Sequence, residues 1–116
     1  MAELGSNSVS HAAGLHLDHE AVPGDQRVGG DPRIGAAELT SFYGVEVGVW
    51  EMTPGVATDV EVDEVFIVLA GSATIEFGDD SPTLRVGPGD VVRLAAGAGT
   101  TWTVTETLRK IYLTQA

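Results

Sequence analysis

Apolar and polar positions alternate through most of the chain after its first third. "GVEVGVWEM", residues 44–52, is β-branched and alternating until "TPG" closes it. "EVFIVLAG", residues 64–71, is a short apolar run ended by Gly71, and "SATIEFGDD" alternates up to a Gly-Asp turn. "TLRV" stops at "GPGD", "VVRLAAGAG" follows, "TTWTVTET" alternates threonine with apolar residues, and "LRKIYLTQ" comes last. That makes roughly seven short strands at about ten-residue spacing with Gly or Pro between them, a pattern that predicts an all-β sandwich or barrel. No helix of consequence is expected.

Residues 1–37 have a different texture. They hold all three histidines, His11, His16 and His19, and the turn-rich "VGGDPRIG", without a sustained period. An extended or partly ordered arm with one or two short edge strands is expected there, ahead of a barrel over residues 38–116. "HAAGLHLDHE" could form one helical turn, although Gly14 weakens it.

Length and composition narrow the chemistry. A chain of 116 residues is long enough for one domain with a real core. It has no cysteine, which excludes disulfides, thiolate catalysis and cysteine-ligated metal centres. Seventeen acidic residues stand against six Lys and Arg, a net charge of -11. Nucleic acids and anionic membranes are therefore poor partners. No apolar run reaches the ~18 residues of a membrane helix, and the N-terminus lacks the basic start and apolar core of a signal peptide. A cytoplasmic location is the expectation.

The order of the turn signals resembles a known family. "EVFIVLAG" looks like the second half of the first cupin motif, and "GPGDVVRLAAG", residues 87–97, looks like the second motif. "GVWEMTPG", the acidic-then-apolar strand, "PGD", "TTWTV" and the closing "RKIYL" resemble the small single-domain cupins of the cupin-3 type, over about residues 30–114. The resemblance implies a double-stranded β-helix, the cupin jelly-roll barrel, and a homodimer.

Metal-binding cupins carry a His-x-His pair and a Glu in the first motif and a third His in the second. Counting back from Glu64 places the pair near residues 57–60, which read Ala57, Thr58, Asp59 and Val60. The third His falls at Thr100, and Ala95 takes the place of a proline. Only Glu64 matches, so the site is expected to hold no metal and no other cofactor. Asp59, Glu61 and Asp63 are expected on a hydrated loop at the strand entrance. The three histidines are expected at the surface.

With the family's inward orientation, Glu64 would sit in an apolar barrel, where desolvation works against its charge and suits it to general acid–base work. The alternative is a structural bond to a threonine or to Lys110. Thr100 and Trp102 share a strand face, as do Lys110 and Tyr112, by the two-residue period. The second pair is expected to face the cavity, because these positions are characteristic of the family, although Arg109, Ile111 and Leu113 form the more apolar set. Trp50 shares its face with Gly48, which leaves room for a ring or a ligand. Glu64, Lys110 and Tyr112 are thus the candidate catalytic groups, with Trp50, Phe66, Thr100 and Trp102 as candidate ligand contacts. Either tryptophan could instead be plain core.

A small molecule is the expected partner. A metal-independent isomerase, dehydratase, cyclase or hydrolase, a non-catalytic metabolite-binding module and a structural dimer all remain open on this reading.

Overall fold

The computed structural model describes residues 4–115. Alternation becomes nine strands: β1 (Glu20–Ala21), β2 (Arg27–Gly30), β3 (Arg33–Phe42), β4 (Val45–Met52), β5 (Gly55–Val60), β6 (Glu64–Phe77), β7 (Leu84–Val86), β8 (Val91–Leu94) and β9 (Gly99–Gln115). Among the described residues the helical content is one 3-10 turn, Ala12–Gly14, and no helix is long and apolar enough to cross a membrane. All nine strands belong to one antiparallel sheet that curls on itself into a jelly roll.

β9 organises the curl. Its first part, residues 99–104, lies between β5 and the second half of β6. Its last part, residues 108–115, lies between β4 and the first half of β6. "EVFIVLAG" and "SATIEF", two strands by their Gly punctuation, are therefore one bent strand. So are "TTWTVTET" and "LRKIYLTQ". The register of β6 against β9 slips at Val68/Ala70, Ala70/Ser72 and Ser72/Ala73, and such bulges bend a strand without ending it. Gly71 sits in this bend with φ at +86°, and a Cβ there would run into the Thr107 carbonyl.

Two elements lie outside the strands expected from alternation. β3 runs from residue 33 to residue 42, across the expected border between arm and barrel, and pairs with β4. β5 pairs with β9 so that Asp59 opposes Thr100 and Ala57 opposes Trp102.

Both faces of the β4–β9 region are covered. Inside the barrel, Met52, Phe66, Val68, Ile75, Leu94, Trp102 and Leu108 form the main core. Burial of each such side chain is worth roughly 1.5–3 kcal/mol. Outside, Leu17, Leu39 and Val49 form a second cluster against Leu15 and Ile111, so the N-terminal segment caps the outer face. Arg109 fastens it: one guanidinium nitrogen donates to the carbonyls of Ala12 and Leu15 at 2.8 and 2.6 Å, and the group pairs with Glu51 at 2.9 Å. His19 Nε2 lies 2.6 Å from the other Glu51 oxygen. That is how a strand can carry Arg109, Ile111 and Leu113 on one face and still turn Lys110 and Tyr112 inward.

Candidate functional site

Strand pairing lines up three inward rows across β4, β9 and β6: Glu46–Thr114–Glu64, Gly48–Tyr112–Phe66 and Trp50–Lys110–Val68. Across the barrel, β5 and the start of β9 contribute Ala57, Asp59, Thr100 and Trp102. Together they leave a cavity of about 310 Å³ bounded by Trp50, Trp102, Glu46, Asp59, Glu61, Glu64, Lys110 and Tyr112, with Val22 and Gln26 of the N-terminal segment also on its wall.

Lys110 reaches along the inner face to Glu64, with Nζ 2.7 Å from Oε2. The ammonium is enclosed by three rings, 4.2 Å from the Phe66 centroid, 4.6 Å from Trp50 and 4.8 Å from Trp102. Each ring presents the negative face of its quadrupole to the cation. Glu64 therefore has the buried Lys110 partner that was the structural alternative at the sequence level. A carboxylate held this way is the counter-ion of a buried ammonium, which would be left unpaired without it.

Glu61 departs most from expectation. It is not on a hydrated loop: it is 7% exposed, and its side chain turns into the barrel. Its Oε2 accepts hydrogen bonds from Thr100 Oγ1 at 2.6 Å and from Trp102 Nε1 at 3.1 Å. Among the described residues Oε1 accepts none, yet no buried side-chain oxygen lacks a partner, so Oε1 is not sealed in protein. Glu61 as a whole lines the cavity. Burial pushes the Glu61 carboxyl above the usual carboxylate range, against the two hydrogen bonds, and the nearby Asp59 charge pushes the same way. The sequence held one signal for this. A buried tryptophan at residue 102 needs an acceptor for its indole N–H, and an apolar barrel offers few. Asp63 is exposed on the link before β6 as expected, whereas Asp59 is exposed but lies in strand β5 rather than on a loop. Asp63 pins the turn after β8 by accepting from the Ala96 N–H at 3.0 Å and from Arg93 at 3.1 Å.

Tyr112 lays its ring over Gly48, where a Cβ would fall within the ring's van der Waals envelope. Its hydroxyl donates to Glu46 Oε2 at 2.8 Å. Burial, followed by the Glu46 bond and charge, pushes the phenol well above its ordinary range, so it stays a donor. The two tryptophans pack at 5.8 Å between centroids and wall the cavity together. Phe66 is fully buried behind Lys110 rather than on the wall, and Thr100 stands one hydrogen bond behind Glu61.

The donor set does not suit the metal of metal-binding cupins. Ala57 and Thr100 stand where imidazoles would be needed, and the Glu64 carboxylate is engaged by an ammonium that would repel a second cation beside it. Among the described residues no three His, Asp or Glu side chains converge on one point. His11 and His16 are exposed, and His19 serves the Glu51–Arg109 cluster on the outer face.

A family model described as the EutQ-like cupin domain matches residues 42–112. Among solved structures, the Clostridium difficile EutQ protein superposes with a TM-score of 0.63 at 19% identity, over 72% of this chain and 68% of that one. A Pseudomonas syringae protein of unknown function gives 0.75 at 23% identity, covering 87% of this chain and 45% of that one, so this chain spans less than half of it. A cupin superfamily protein from Desulfitobacterium hafniense gives 0.63 at 13% identity over 99% and 95% of the two chains. At these identities the likeness establishes the fold. No curated protein matches this sequence.

Proposed function

This chain belongs to the EutQ-like cupin family, and from that premise we propose that it binds a small molecule in the barrel cavity and moves a proton on it through Glu61. The observation that carries this reading is the state of that carboxyl. It lies on the cavity wall and is largely buried, its affinity for a proton is raised, one oxygen is fastened by Thr100 and Trp102, and the other accepts no hydrogen bond among the described residues. A general acid or base needs that combination: fixed orientation, access to the ligand and a pKa moved towards the working pH.

The remaining groups take supporting roles. Thr100 and Trp102 position Glu61. Lys110 and Glu64 form a charge-matched pair on the cavity wall, and Tyr112 offers a hydroxyl oriented by Glu46. Trp50 and Trp102 supply the apolar walls typical of small-molecule sites. The reaction is a proton transfer between the Glu61 carboxyl and a ligand atom.

The test is to incubate the protein and its Glu61→Gln variant with a small-molecule extract and follow both by mass spectrometry. Consumption of a compound by the wild type, and its retention without consumption by the variant, supports the proposal. A compound retained but left unchanged by both proteins overturns the catalytic part and leaves a binding module.

A further inference from the structure

Resting on that reading of the cavity, we propose that its ligand is a small organic cation bearing N–H donors, a protonated amine or a guanidine. Charge is the first argument. The wall carries Glu46, Asp59, Glu61 and Glu64 against the single base Lys110. Lys110 is already answered by Glu64 at 2.7 Å and by three aromatic faces, so its charge is spent inside the protein. A ligand anion would meet three further carboxyl groups, Glu46, Asp59 and Glu61, without a free counter-charge.

Hydrogen bonding points the same way. Glu46 uses Oε2 for Tyr112, and Glu61 uses Oε2 for Thr100 and Trp102. Among the described residues neither Oε1 accepts a hydrogen bond, and both glutamates line the same wall. Glu61 is more than nine-tenths buried as a residue, and its second oxygen is not sealed in protein. Ammonium or guanidinium N–H groups are the complement of that surplus.

Size and field agree. A cavity of about 310 Å³ holds roughly ten non-hydrogen atoms at about 30 Å³ each. The net charge of -11 raises the local concentration of cations around the whole molecule.

The test uses three probes of one shape, n-butylamine, 1-butanol and butyrate, read from the indole N–H signals of the two tryptophans in nitrogen–proton correlation spectra. The expected result is a saturable shift of both indole signals by butylamine at concentrations at least tenfold below those needed for butanol, and no shift by butyrate. Glu46→Gln and Asp59→Asn should each weaken butylamine several-fold and leave butanol unchanged. Butyrate binding as well as butylamine overturns the charge assignment while leaving the cavity as a ligand site. If no probe moves either indole signal, the binding reading of the cavity falls, and this proposal with it.

Discussion

Lys110 and Glu64 answer each other's charge inside the barrel, 2.7 Å apart and both largely shielded from water. The pair joins β9 to β6, and the three rings around the ammonium come from β4, β6 and β9. One ion pair thereby ties three strands of the curl together at the cavity floor. Its energy depends on both partners being present, which leads to a first expected result.

Removing one member of a buried pair leaves an uncompensated charge and costs about 3–5 kcal/mol. Glu64→Gln and Lys110→Met should each lower stability on that scale in urea unfolding. The double variant should lose much less than the sum, and a double-mutant cycle gives the coupling directly. Additive losses would show that the two groups do not share their charge.

Glu61 should leave a signature in the pH dependence of stability. Its folded-state pKa lies above that of the unfolded chain, about 4.3. The stability it contributes is therefore full below about 4.3 and is lost as pH rises through the folded value. Wild type should lose ground against Glu61→Gln across that window. Trp102 emission should titrate over the same range, since its indole donates to Glu61, and the variant should lack that titration. A flat difference between the two proteins contradicts the assignment.

The fastening of the N-terminal segment has the opposite pH sign. Burial pushes the Glu51 carboxyl up, but hydrogen bonds from Arg109 and His19, and then their charges, outweigh it and hold it below the usual range. Its contribution is present above the unfolded value of about 4.3 and fades as pH falls through the depressed one. Arg109→Met also removes the donors to Ala12 and Leu15, so limited proteolysis should cut within residues 4–20 much faster. The largely buried Glu51, left with His19 alone, adds a loss of about 3–5 kcal/mol. Unchanged proteolysis would mean that the outer cluster holds the segment without Arg109.

Gly48→Ala probes the cavity wall from behind. The added methyl must displace the Tyr112 ring and break its bond to Glu46. Ligand-induced shifts at Trp50 should weaken at least tenfold, with a stability loss of about 1–3 kcal/mol, the usual range for overpacking. Binding at wild-type strength would remove Tyr112 from the site.

Much of the barrel was legible before any fold was known. Alternation marked β4, the second half of β6 and the first part of β9, an apolar run marked the start of β6, and Gly and Pro set off β7 and β8. The room expected beside Gly48 is filled by the Tyr112 ring. The misses have local reasons. β3 reads "RIGAAELTSF", where alanine and glycine dilute the period, and it is a strand because β4 supplies its hydrogen-bonding edge. β5, "GVATDV", is short and ends in exposed residues, so its pairing with β9 defines it. Gly71 reads as a stop, but two bulged strands can bend together through a glycine.

The candidate site divides along the same line. A strand's two-residue period places Lys110 with Tyr112 and Thr100 with Trp102 on common faces, and that much follows from the sequence alone. Periodicity cannot say which face is inside when both are covered. That was decided by the N-terminal segment, which buries Ile111 and Arg109 on the outer side and frees Lys110 for Glu64. Glu61 lies between β5 and β6, where no period constrains its direction. Only the tertiary structure brings it under Thr100 and Trp102, because a buried indole N–H and a buried hydroxyl both need an acceptor and this carboxylate is within reach.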